Sequence, residues 1–426
     1  MPCVSDTNAA SWHARLCRAS AHSLYLHLPF CVRKCAYCDF SSWATPVGDP
    51  LIERYIGALG LELRQAADVG LLDGCATAYV GGGTPTLAGA GLVRLVRDLR
   101  SLVPELEELS CEANPDSLDD ALLHGLPDAG CTRLSLGVQS LDDDELRLLG
   151  RIHSASRALD RLEAAVRSGL DVSCDLMCAI EGQDDASFRH TLEQVVDTGV
   201  GHVSVYPLQI EEGTPIARRV GDQDVPWNDP AVQASRMQLA AEALGAAGLV
   251  RYEVASYARP AHECRHNCAY WTAQPYLGLG TAASSMLTRE GYERLRHCAP
   301  QLPAIPDEVR RVRLTCTDRP ASIANEPTLA ARHFELELLD ERQAGAEDLM
   351  LAMRMTQGAG PGLMTHARSC LGASRVHEAQ RWCEARGLAR PVGTAWVPTE
   401  QGWLLGNELY GRLWELADEP VAEGRA

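Results

Sequence analysis

Short apolar segments typical of β-strands alternate with longer amphipathic segments typical of helices from about residue 23 onward. The predicted strands are SLYLHL, ATAYV, LSCEA, TRLSLGV, DVSCDLM and HVSVYPL, and the predicted helices lie at 51–67, at 92–102, near Leu118, after Gln139, near Ser187 and at 231–244. Strands that alternate with helices predict βαβ units and a parallel sheet. Asp119 and Asp142 lie near predicted helix starts, where a carboxylate suits the helix dipole. With about six such units, we predict an α/β fold, a partial (β/α)6 barrel with its chemistry at the C-terminal ends of the strands.

The remainder of the chain predicts a second, smaller unit. Val250–Pro260 predicts a further strand, and the prolines between Pro300 and Pro327 predict a linker, which we extend over 300–343. Beyond it, helices and the short β-ribbon LARPVGTAWVPT predict a mainly helical, winged-helix-like C-terminal domain. The predicted organisation is therefore an N-terminal extension at 1–22, the barrel with an adjoining segment at 23–299, the linker, and the C-terminal domain at 344–426.

Charge and cysteine content restrict the partners and the compartment. The formal net charge of −18 argues against nucleic acid as a partner, because binding phosphates requires a basic surface. No N-terminal run has the apolar length of a signal peptide, and no segment reaches the ~20 apolar residues that span a bilayer, so we predict a cytoplasmic protein. Thiols stay reduced there, so the 16 cysteines do not suggest a disulfide framework. Most of them are predicted to be small buried hydrophobic residues.

Cys31, Cys35 and Cys38 are the exception, because they lie within one short segment, YLHLPFCVRKCAYCDF, that begins in the first predicted strand. Structural zinc usually takes four ligands, commonly from two CxxC-type pairs, and no convincing fourth ligand lies nearby. A redox CxxC pair needs only two cysteines. Three thiolates suit a [4Fe–4S] cluster with one iron left open, and an open iron can chelate the amino and carboxylate groups of S-adenosylmethionine (SAM). The spacing therefore favours an iron–sulfur cluster.

The segment CVRKCAYC matches the CxxxCxxC motif of the radical SAM superfamily, which the chain resembles from about Leu24 to Met286. Together with GGGTP, EANPD, SLGVQS and GRIHS, the longer segment around it resembles the branch that contains oxygen-independent coproporphyrinogen III dehydrogenase and the HemW-type haem chaperones. The dehydrogenase has a fourth cysteine at the position of Phe40, whereas chaperone-type members commonly have phenylalanine. The resemblance implies a barrel of radical SAM type and favours the chaperones.

The same resemblance implies a pocket for SAM beside the cluster. Gly82, Gly83 and Thr84, in the glycine-rich turn VGGGTPT, would hold the methionine portion, and Glu112 would bind its amino group. Glycines suit this role because they let the main chain approach a ligand closely. The other residues that the resemblance places around the cofactor are Tyr25, Tyr37, Phe40, Gln139, Arg151 and Asp175.

Two segments depart from the pattern of the relatives. Relatives usually continue from the Asp175 strand as DLMYGLPGQ, where this chain has DLMCAIEGQ, with Cys178 and Glu181. Farther on, relatives have AHS where this chain has AASS, so that Ser284 occupies the position of a histidine. We therefore expect the loop beside the second half of the site to differ in shape, which leaves open whether one or two SAM molecules bind.

A second dense segment, ECRHNCAYW, suggests a haem site. By residue type, His266 can ligate iron, Cys264 or Cys268 can supply a thiolate instead, and the aromatic rings offer flat faces to a porphyrin. A histidine that is hydrogen-bonded in a surface loop, with the aromatic residues in the core, would explain the same pattern. The segment matches the HNxxYW motif of the HemW-type chaperones, and this resemblance implies that haem contacts His266, Asn267, Tyr270 and Trp271.

Three functions remain open. A haem chaperone would bind the cluster, SAM and haem and deliver haem to an acceptor protein, with any weak association with a membrane surface arising only through the acceptors. A radical SAM enzyme would instead act on a porphyrinogen in porphyrin biosynthesis or on a methyl-transfer substrate, with the cofactor supplying the chemistry. A paralogue that keeps the cluster and has lost its ligand is the third. Phe40 and the HNxxYW match favour the chaperone, and whether the protein is an enzyme stays open.

Overall fold

The computed structural model describes residues 20–221, 223 and 225–418, so that residues 1–19 of the predicted N-terminal extension lie outside the described residues. The strands are β1 Ser23–Leu28, β2 Phe30–Cys31, β3 Trp43–Ala44, β4 Thr77–Gly82, β5 Glu108–Ala113, β6 Arg133–Gln139, β7 Asp171–Cys178, β8 His202–Pro207, β9 Val250–Arg251, β10 Ser256–Ala258, β11 Tyr276–Leu279, β12 Ser284–Thr288, β13 Arg311–Cys316, β14 Phe334–Leu339, β15 Ala389–Val392 and β16 Ala395–Pro398. The α-helices are α1 Pro50–Asp68, α2 Ala90–Leu102, α3 Asp120–Asp128, α4 Asp143–Leu148, α5 Ala155–Arg167, α6 Asp185–Asp197, α7 Pro215–Val220, α8 Pro230–Ala246, α9 Arg265–Trp271, α10 Arg289–Cys298, α11 Pro320–Asn325, α12 Glu341–Ala352, α13 Pro361–Leu371, α14 Ala373–Ala385, α15 Glu400–Leu404 and α16 Gly406–Trp414.

One sheet of 12 strands has the order β14-β13-β12-β11-β1-β4-β5-β6-β7-β8-β10-β9. From β1 through β4 to β8 the neighbours are parallel, and at least one helix separates each strand from the next. β11 adds a further parallel strand beside β1, and the strands beyond β11 and beyond β8 are antiparallel. The predicted α/β fold with a partial (β/α)6 barrel is therefore confirmed, and β1 pairs with β11 rather than closing the barrel against β8.

Capping residues in the sequence set where several barrel helices begin. Asp49 accepts a hydrogen bond from the Leu51 main-chain N–H at 2.8 Å, and Pro50 occupies the first turn of α1, where its missing N–H is tolerated. Asp119 caps α3 and Asp142 caps α4, as their predicted place near helix starts requires. The negative carboxylates also complement the positive N-terminal end of each helix dipole. Local sequence thus fixes the turns that bring the chain back from one strand to the next.

The barrel strands are buried along most of their length, as expected for parallel strands that are covered by helices. Leu24 and Leu26 of β1 and Leu134 and Leu136 of β6 are all 0% exposed. Most of the scattered cysteines are also buried, which confirms that they act as small hydrophobic residues. They are Cys75, Cys111, Cys131, Cys174, Cys178, Cys264, Cys316 and Cys383.

Two predictions for the region after β8 are wrong. Val250–Pro260 is not one strand, because β9 and β10 are two short antiparallel strands within it. The predicted linker at 300–343 contains β13 and β14, which extend the main sheet beyond β12. Its prolines do not mark a simple connection, since Pro320 occupies the first turn of α11. Proline suits the first turn of a helix as well as a loop, so proline content alone does not identify a linker.

The chain from Glu341 to Asp418 is mainly helical, as predicted, with β15 and β16 forming an antiparallel ribbon. It has a core of its own, which includes Leu349, Trp396 and Leu409. The guanidinium of Arg311 in β13 ties α12 to the sheet by donating to Glu347 at 2.7 Å and to Asp348 at 2.6 Å. Among the described residues, no helix is long and apolar enough to cross a membrane.

Candidate cofactor site

The loop that follows β1 carries the three candidate cluster cysteines. Cys31 ends β2, and its carbonyl oxygen accepts a hydrogen bond from the Thr45 N–H at 2.7 Å, beside the parallel pairing of β2 with β3. Farther along, the Ala36 N–H donates to the Leu149 carbonyl oxygen at 2.9 Å, which anchors the loop to the end of α4. The half-buried thiols of the loop, none of them in a disulfide, belong to Cys31, Cys35 and Cys38.

Side chains from other parts of the barrel contact two of these thiols. Thr84 Oγ1 donates to Cys31 Sγ at 3.6 Å, and Arg151 Nη1 donates to Cys35 Sγ at 3.3 Å. Burial raises the pKa of the Cys31 and Cys38 thiols, so their thiolate forms need a cationic partner such as iron. In the described part of the chain, no three His, Cys, Asp or Glu side chains surround one point closely enough for a single metal ion. Three thiols on one loop do fit a [4Fe–4S] cluster, where each cysteine binds a different iron.

The glycine-rich turn after β4 packs directly against the cysteine loop. The Thr84 N–H donates to the Phe30 carbonyl oxygen at 2.7 Å. A Cβ atom on Gly83 would lie 2.7 Å from that oxygen and 2.9 Å from Cys31 Sγ, so this position has no room for a side chain. Gly82 has a φ of +122°, which only glycine adopts readily. The turn therefore requires both glycines, and their small size lets Thr84 reach the cluster loop.

Glu112, near the end of β5, is held against this turn. One carboxylate oxygen accepts a hydrogen bond from the Gly82 N–H at 2.9 Å, and the other accepts one from the Tyr79 hydroxyl at 3.0 Å. Burial raises the pKa of Glu112 to about 7, and the Asp175 carboxylate acts in the same direction. Amino N–H groups would donate to the ionised form and stabilise it, so the predicted role of Glu112 toward the amino group of SAM suits its surroundings.

We expect SAM to bind more tightly as the pH rises from about 6 to about 7.5. Below its pKa of about 7, the Glu112 carboxyl is protonated and must lose its proton before the carboxylate can accept hydrogen bonds from the amino group of SAM. The dissociation constant should therefore fall by about eightfold over this range, measured by isothermal titration calorimetry on anaerobically reconstituted protein. The Glu112→Gln variant, which cannot titrate, should bind weakly with a flat profile, and an unchanged slope in that variant would contradict the assignment.

Arg151 connects the cysteine loop to the ends of two strands. Its Nη2 atom donates to Asn114 Oδ1 and to the Gly137 carbonyl oxygen, both at 2.7 Å. The Asn114 amide in turn donates to Thr84 Oγ1 at 2.8 Å. Arg151 Nε is buried and has no hydrogen-bond partner among the described residues, which leaves a donor for a polar ligand. Sequence reasoning missed Asn114, although EANPD, which contains it, carries part of the family resemblance.

Of the remaining residues of the predicted pocket, Tyr25 and Asp175 lie near Glu112. Tyr25 stacks on Tyr79 with ring centroids 6.3 Å apart, and its hydroxyl hydrogen-bonds with His27 Nδ1 at 2.9 Å. Asp175 accepts a hydrogen bond from Ser135 Oγ at 2.9 Å, and burial raises the pKa of its carboxyl group. Gln139 has a φ of +70° at an irregularity in the pairing of β6 with β7, which turns the chain at the strand end.

Tyr37 and Phe40 differ in their surroundings although both lie on the cysteine loop. Tyr37 is partly buried against the small apolar cluster that includes Leu149 and Ile180. Phe40 is 63% exposed, and its carbonyl oxygen accepts a hydrogen bond from Lys34 Nζ at 2.9 Å. The Phe40 ring is therefore not part of the hydrophobic core.

The three residues that depart from the family pattern lie in different surroundings. Cys178 is buried with its sulfur 3.9 Å from the sulfur of Met237. Glu181 lies in the turn after β7 and pairs with Arg219 at 2.9 Å. Ser284, which stands in place of a histidine, forms a hydrogen bond with Thr315 at 2.9 Å between β12 and β13.

The HNxxYW segment forms α9, and the structure places His266 inside the protein. The side chain is only 1% exposed. Its Nδ1 atom hydrogen-bonds with Thr77 Oγ1 and its Nε2 atom with the Tyr270 hydroxyl, both at 3.0 Å. The ring stacks on Tyr79 at 5.2 Å, and burial lowers the pKa of the imidazole to about 3. Both ring nitrogens are thus engaged, which is the arrangement of a hydrogen-bonded core histidine rather than of an open iron ligand.

The other residues of the segment connect the barrel with the C-terminal unit. Tyr270 packs edge-on against Tyr276 with centroids 4.7 Å apart. Trp271 donates its indole N–H to Glu253 at 3.1 Å, and the Arg354 guanidinium lies 5.0 Å from the centre of its ring. Asn267 is half-buried at the surface of α9. Cys264 is buried with its Sγ atom 3.4 Å from a carboxylate oxygen of Glu108.

Comparisons with known proteins agree with this geometry. The sequence pattern of the Radical SAM superfamily matches residues 25–195, which include the cysteine loop and the glycine-rich turn. The haem chaperone HemW of Mycobacterium tuberculosis is 35% identical over 92% of this chain and 94% of its own length. HemW of Bacillus subtilis is 29% identical over 91% of this chain and 98% of its own length. The coproporphyrinogen III oxidase HemN of Escherichia coli, at 20% identity, superposes with a TM-score of 0.71 over 97% of this chain and 94% of its own, which shows a shared fold.

Fold, cysteine loop and sequence match together define a radical SAM protein. The similarity to HemW of M. tuberculosis covers 92% of this chain and so extends into the C-terminal unit, whereas the superfamily pattern matches only residues 25–195. The chain belongs to the HemW family.

Proposed function

We propose that the protein is a haem chaperone that holds a [4Fe–4S] cluster and SAM, binds haem and delivers it to acceptor proteins. The similarity to the haem chaperone HemW of M. tuberculosis along 92% of the chain carries this proposal. The thiols of Cys31, Cys35 and Cys38 support it, because they are gathered on one half-buried loop. Cytoplasmic localisation, an acceptor protein that remains to be identified, and membrane contact only through acceptors are parts of the same proposal.

The residues of this chain that would hold the cofactors divide into three groups. Cys31, Cys35 and Cys38 would ligate the cluster, which, when reduced, supplies an electron to the sulfonium of SAM. The turn around Gly83 and the Glu112 carboxylate would hold the methionine portion, because a main chain that a ligand can approach closely and an anion lie side by side there. The pocket residues assigned to the rest of SAM are Tyr25, Tyr37, Phe40, Gln139, Arg151 and Asp175.

Haem binding by the HNxxYW segment depends on which of its side chains a porphyrin can reach. Asn267, Tyr270 and Trp271 are all half-buried, but the Tyr270 hydroxyl is bound to His266, so contact with haem at α9 would begin with Asn267 and Trp271. His266 would ligate iron only after its ring leaves Thr77 and Tyr270. We therefore propose that His266 holds α9 against β4 and Tyr270 holds it against β11 in the haem-free protein, and that the porphyrin is contacted first by Asn267 and Trp271.

The test is a haem titration run beside an assay for radical SAM chemistry. Anaerobically reconstituted protein with dithionite and SAM is assayed for 5′-deoxyadenosine and for decarboxylated porphyrin, with and without coproporphyrinogen III. We expect a saturable haem spectrum and no decarboxylated porphyrin. Stoichiometric decarboxylation would overturn the chaperone proposal and make the protein a dehydrogenase despite Phe40, and a protein that binds no haem would overturn it as well.

A further inference from the structure

β14 is the outermost strand at one end of the main sheet and is unusually open. Among the described residues, β13 is its only partner strand. Four consecutive residues in the middle of the strand are exposed. They are Glu335, Leu336, Glu337 and Leu338. The strand at the other end of the sheet, β9, has only 2 residues, so β14 with 6 residues is the longer open edge.

The hydrogen-bond register shows which main-chain groups face this open edge. The Thr317 N–H donates to the His333 carbonyl oxygen at 3.0 Å, and the two antiparallel strands continue from there with Glu335 opposite Thr315 and Glu337 opposite Arg313. In an antiparallel pair, alternate residues direct their N–H and C=O groups toward the partner strand. The intervening residues of β14, Leu336 and Leu338 among them, therefore direct theirs outward, where another strand can bind them.

The two faces of β14 have opposite character. Leu336 lies opposite Leu314 and Leu338 opposite Val312, and both of these β13 residues are buried in the core. The two leucines are nonetheless 37% and 40% exposed, so the side chains of the described residues leave this part of the apolar face partly uncovered. A strand added at the edge would continue this apolar face with apolar residues of its own.

The opposite face of the edge is acidic. Glu335 and Glu337 are exposed there. Arg313 donates to both Glu337 and Glu347, so its single positive charge does not neutralise the two carboxylates. Pairing of β14 with the same strand of a second copy, centred on Leu336, would place Glu335 opposite Glu337 of that copy. Like charges directly opposite one another destabilise a strand pair. Lys or Arg residues suit this face of an added strand, and the net charge of −18 favours a basic partner.

We propose that the open edge of β14 binds an extended segment of a partner protein in which apolar residues alternate with Lys or Arg. The segment adds a strand to the sheet through the outward main-chain groups of Leu336 and Leu338. Its apolar side chains cover the two leucines, and its basic side chains meet Glu335 and Glu337. Strand addition of this kind takes affinity from main-chain hydrogen bonds and specificity from alternate side chains. The inference stands independently of the proposed haem function.

The probe is a fluorescein-labelled peptide, acetyl-KVKVKVK-amide, titrated with the full chain and followed by fluorescence anisotropy. We expect saturable binding that weakens at high salt. The peptide KVKPKVK keeps the same charge but cannot form a continuous strand, and it should bind at least tenfold more weakly. Hydrogen–deuterium exchange of the fragment that covers 333–340 should slow when KVKVKVK is bound. Equal binding of the two peptides, or no protection of this fragment, would overturn the proposal.

Three variants locate the site. Leu336→Pro removes one outward N–H without removing a hydrogen bond to β13, so it should keep the fold and weaken the peptide at least tenfold. Glu335→Lys should weaken it severalfold, whereas Glu105→Lys, the same charge change at another exposed position, should leave it nearly unchanged. Equal effects of the two Lys variants would mean attraction by net charge alone and would overturn the site. Sedimentation velocity tests whether a second copy binds the edge instead. If the protein dimerises at higher concentration, Leu336→Pro abolishes the dimer and the peptide does not bind, the proposal of a partner segment is overturned in favour of a second copy.

Discussion

Replacing Cys35 with serine is expected to lower the iron content of the reconstituted protein from about four atoms per chain to nearly none. A serine hydroxyl does not supply the thiolate that iron requires, and two cysteines do not hold a cube whose fourth iron is already open. Cys35 is also the thiol that Arg151 contacts at 3.3 Å, so its loss removes the link between the loop and the strand ends. Iron content and the visible absorbance of the cluster measure the result.

Cys298→Ser is the matched control for that experiment. Cys298 is half-buried in α10, and its thiol contacts the Leu295 carbonyl oxygen of the same helix at 3.3 Å, a contact that a serine hydroxyl can also make. Iron content should therefore stay near that of the unmodified protein. The cluster assignment fails if Cys35→Ser retains as much iron as Cys298→Ser.

Arg332→Ala is expected to destabilise the fold by about 3–5 kcal/mol, which is large beside a typical domain stability. Arg332 donates to Glu62 of α1 at 2.6 Å, and their side chains are 2% and 1% exposed. Without the guanidinium, the Glu62 carboxylate is left buried and unpaired. The free energy of unfolding, obtained from urea titration, measures the loss. Arg54→Ala removes an exposed hydrogen bond between α1 and Asn325 in the same region and should cost less than about 0.5 kcal/mol.

The pH dependence of the Arg332→Ala variant gives a second check. Burial raises the pKa of Glu62, and Arg332 holds it down, so the pKa should rise further in the variant. A folded-state pKa above the unfolded value means that stability is lost as the pH rises through the folded-state pKa. The loss in the variant should therefore be larger at about pH 8 than at about pH 5. A loss that is equal at the two pH values would contradict an unpaired Glu62.

Features that depend on nearby residues were accessible from the sequence. The alternation of strands and helices predicts the parallel barrel, and Asp119 and Asp142 mark helix starts that the structure confirms. The spacing of Cys31, Cys35 and Cys38 predicts three thiols on one loop, because residues this close in sequence remain close in any fold. The glycine-rich turn is recognisable from its own residues, although the atoms that leave no room beside Gly83 belong to Phe30 and Cys31, much earlier in the chain.

Features that depend on distant contacts were not accessible. The partners of His266, Thr77 and Tyr79, come from a strand almost 200 residues earlier, and no local pattern shows that they enclose the imidazole. The segment that contains β13 and β14 was predicted to be a linker because prolines are frequent in and near it. The place of the two strands in the sheet depends instead on pairing with β12, which the local sequence does not show. Asn114 went unnoticed for the same reason, since its role arises only where β4, β5 and Arg151 meet.

Those contacts of Asn114 complete a chain of hydrogen bonds that runs from Cys31 through Thr84, Asn114 and Arg151 to Cys35. Two sulfur atoms of one loop are thus joined a second time by side chains that belong to separate strands and turns. Because these hydrogen bonds follow one another in a single chain, removing any one of them interrupts the connection between the two thiols. The destabilising effects of removing two of them are therefore not additive. The positions of the two thiols are for that reason a shared property of the barrel rather than of the loop.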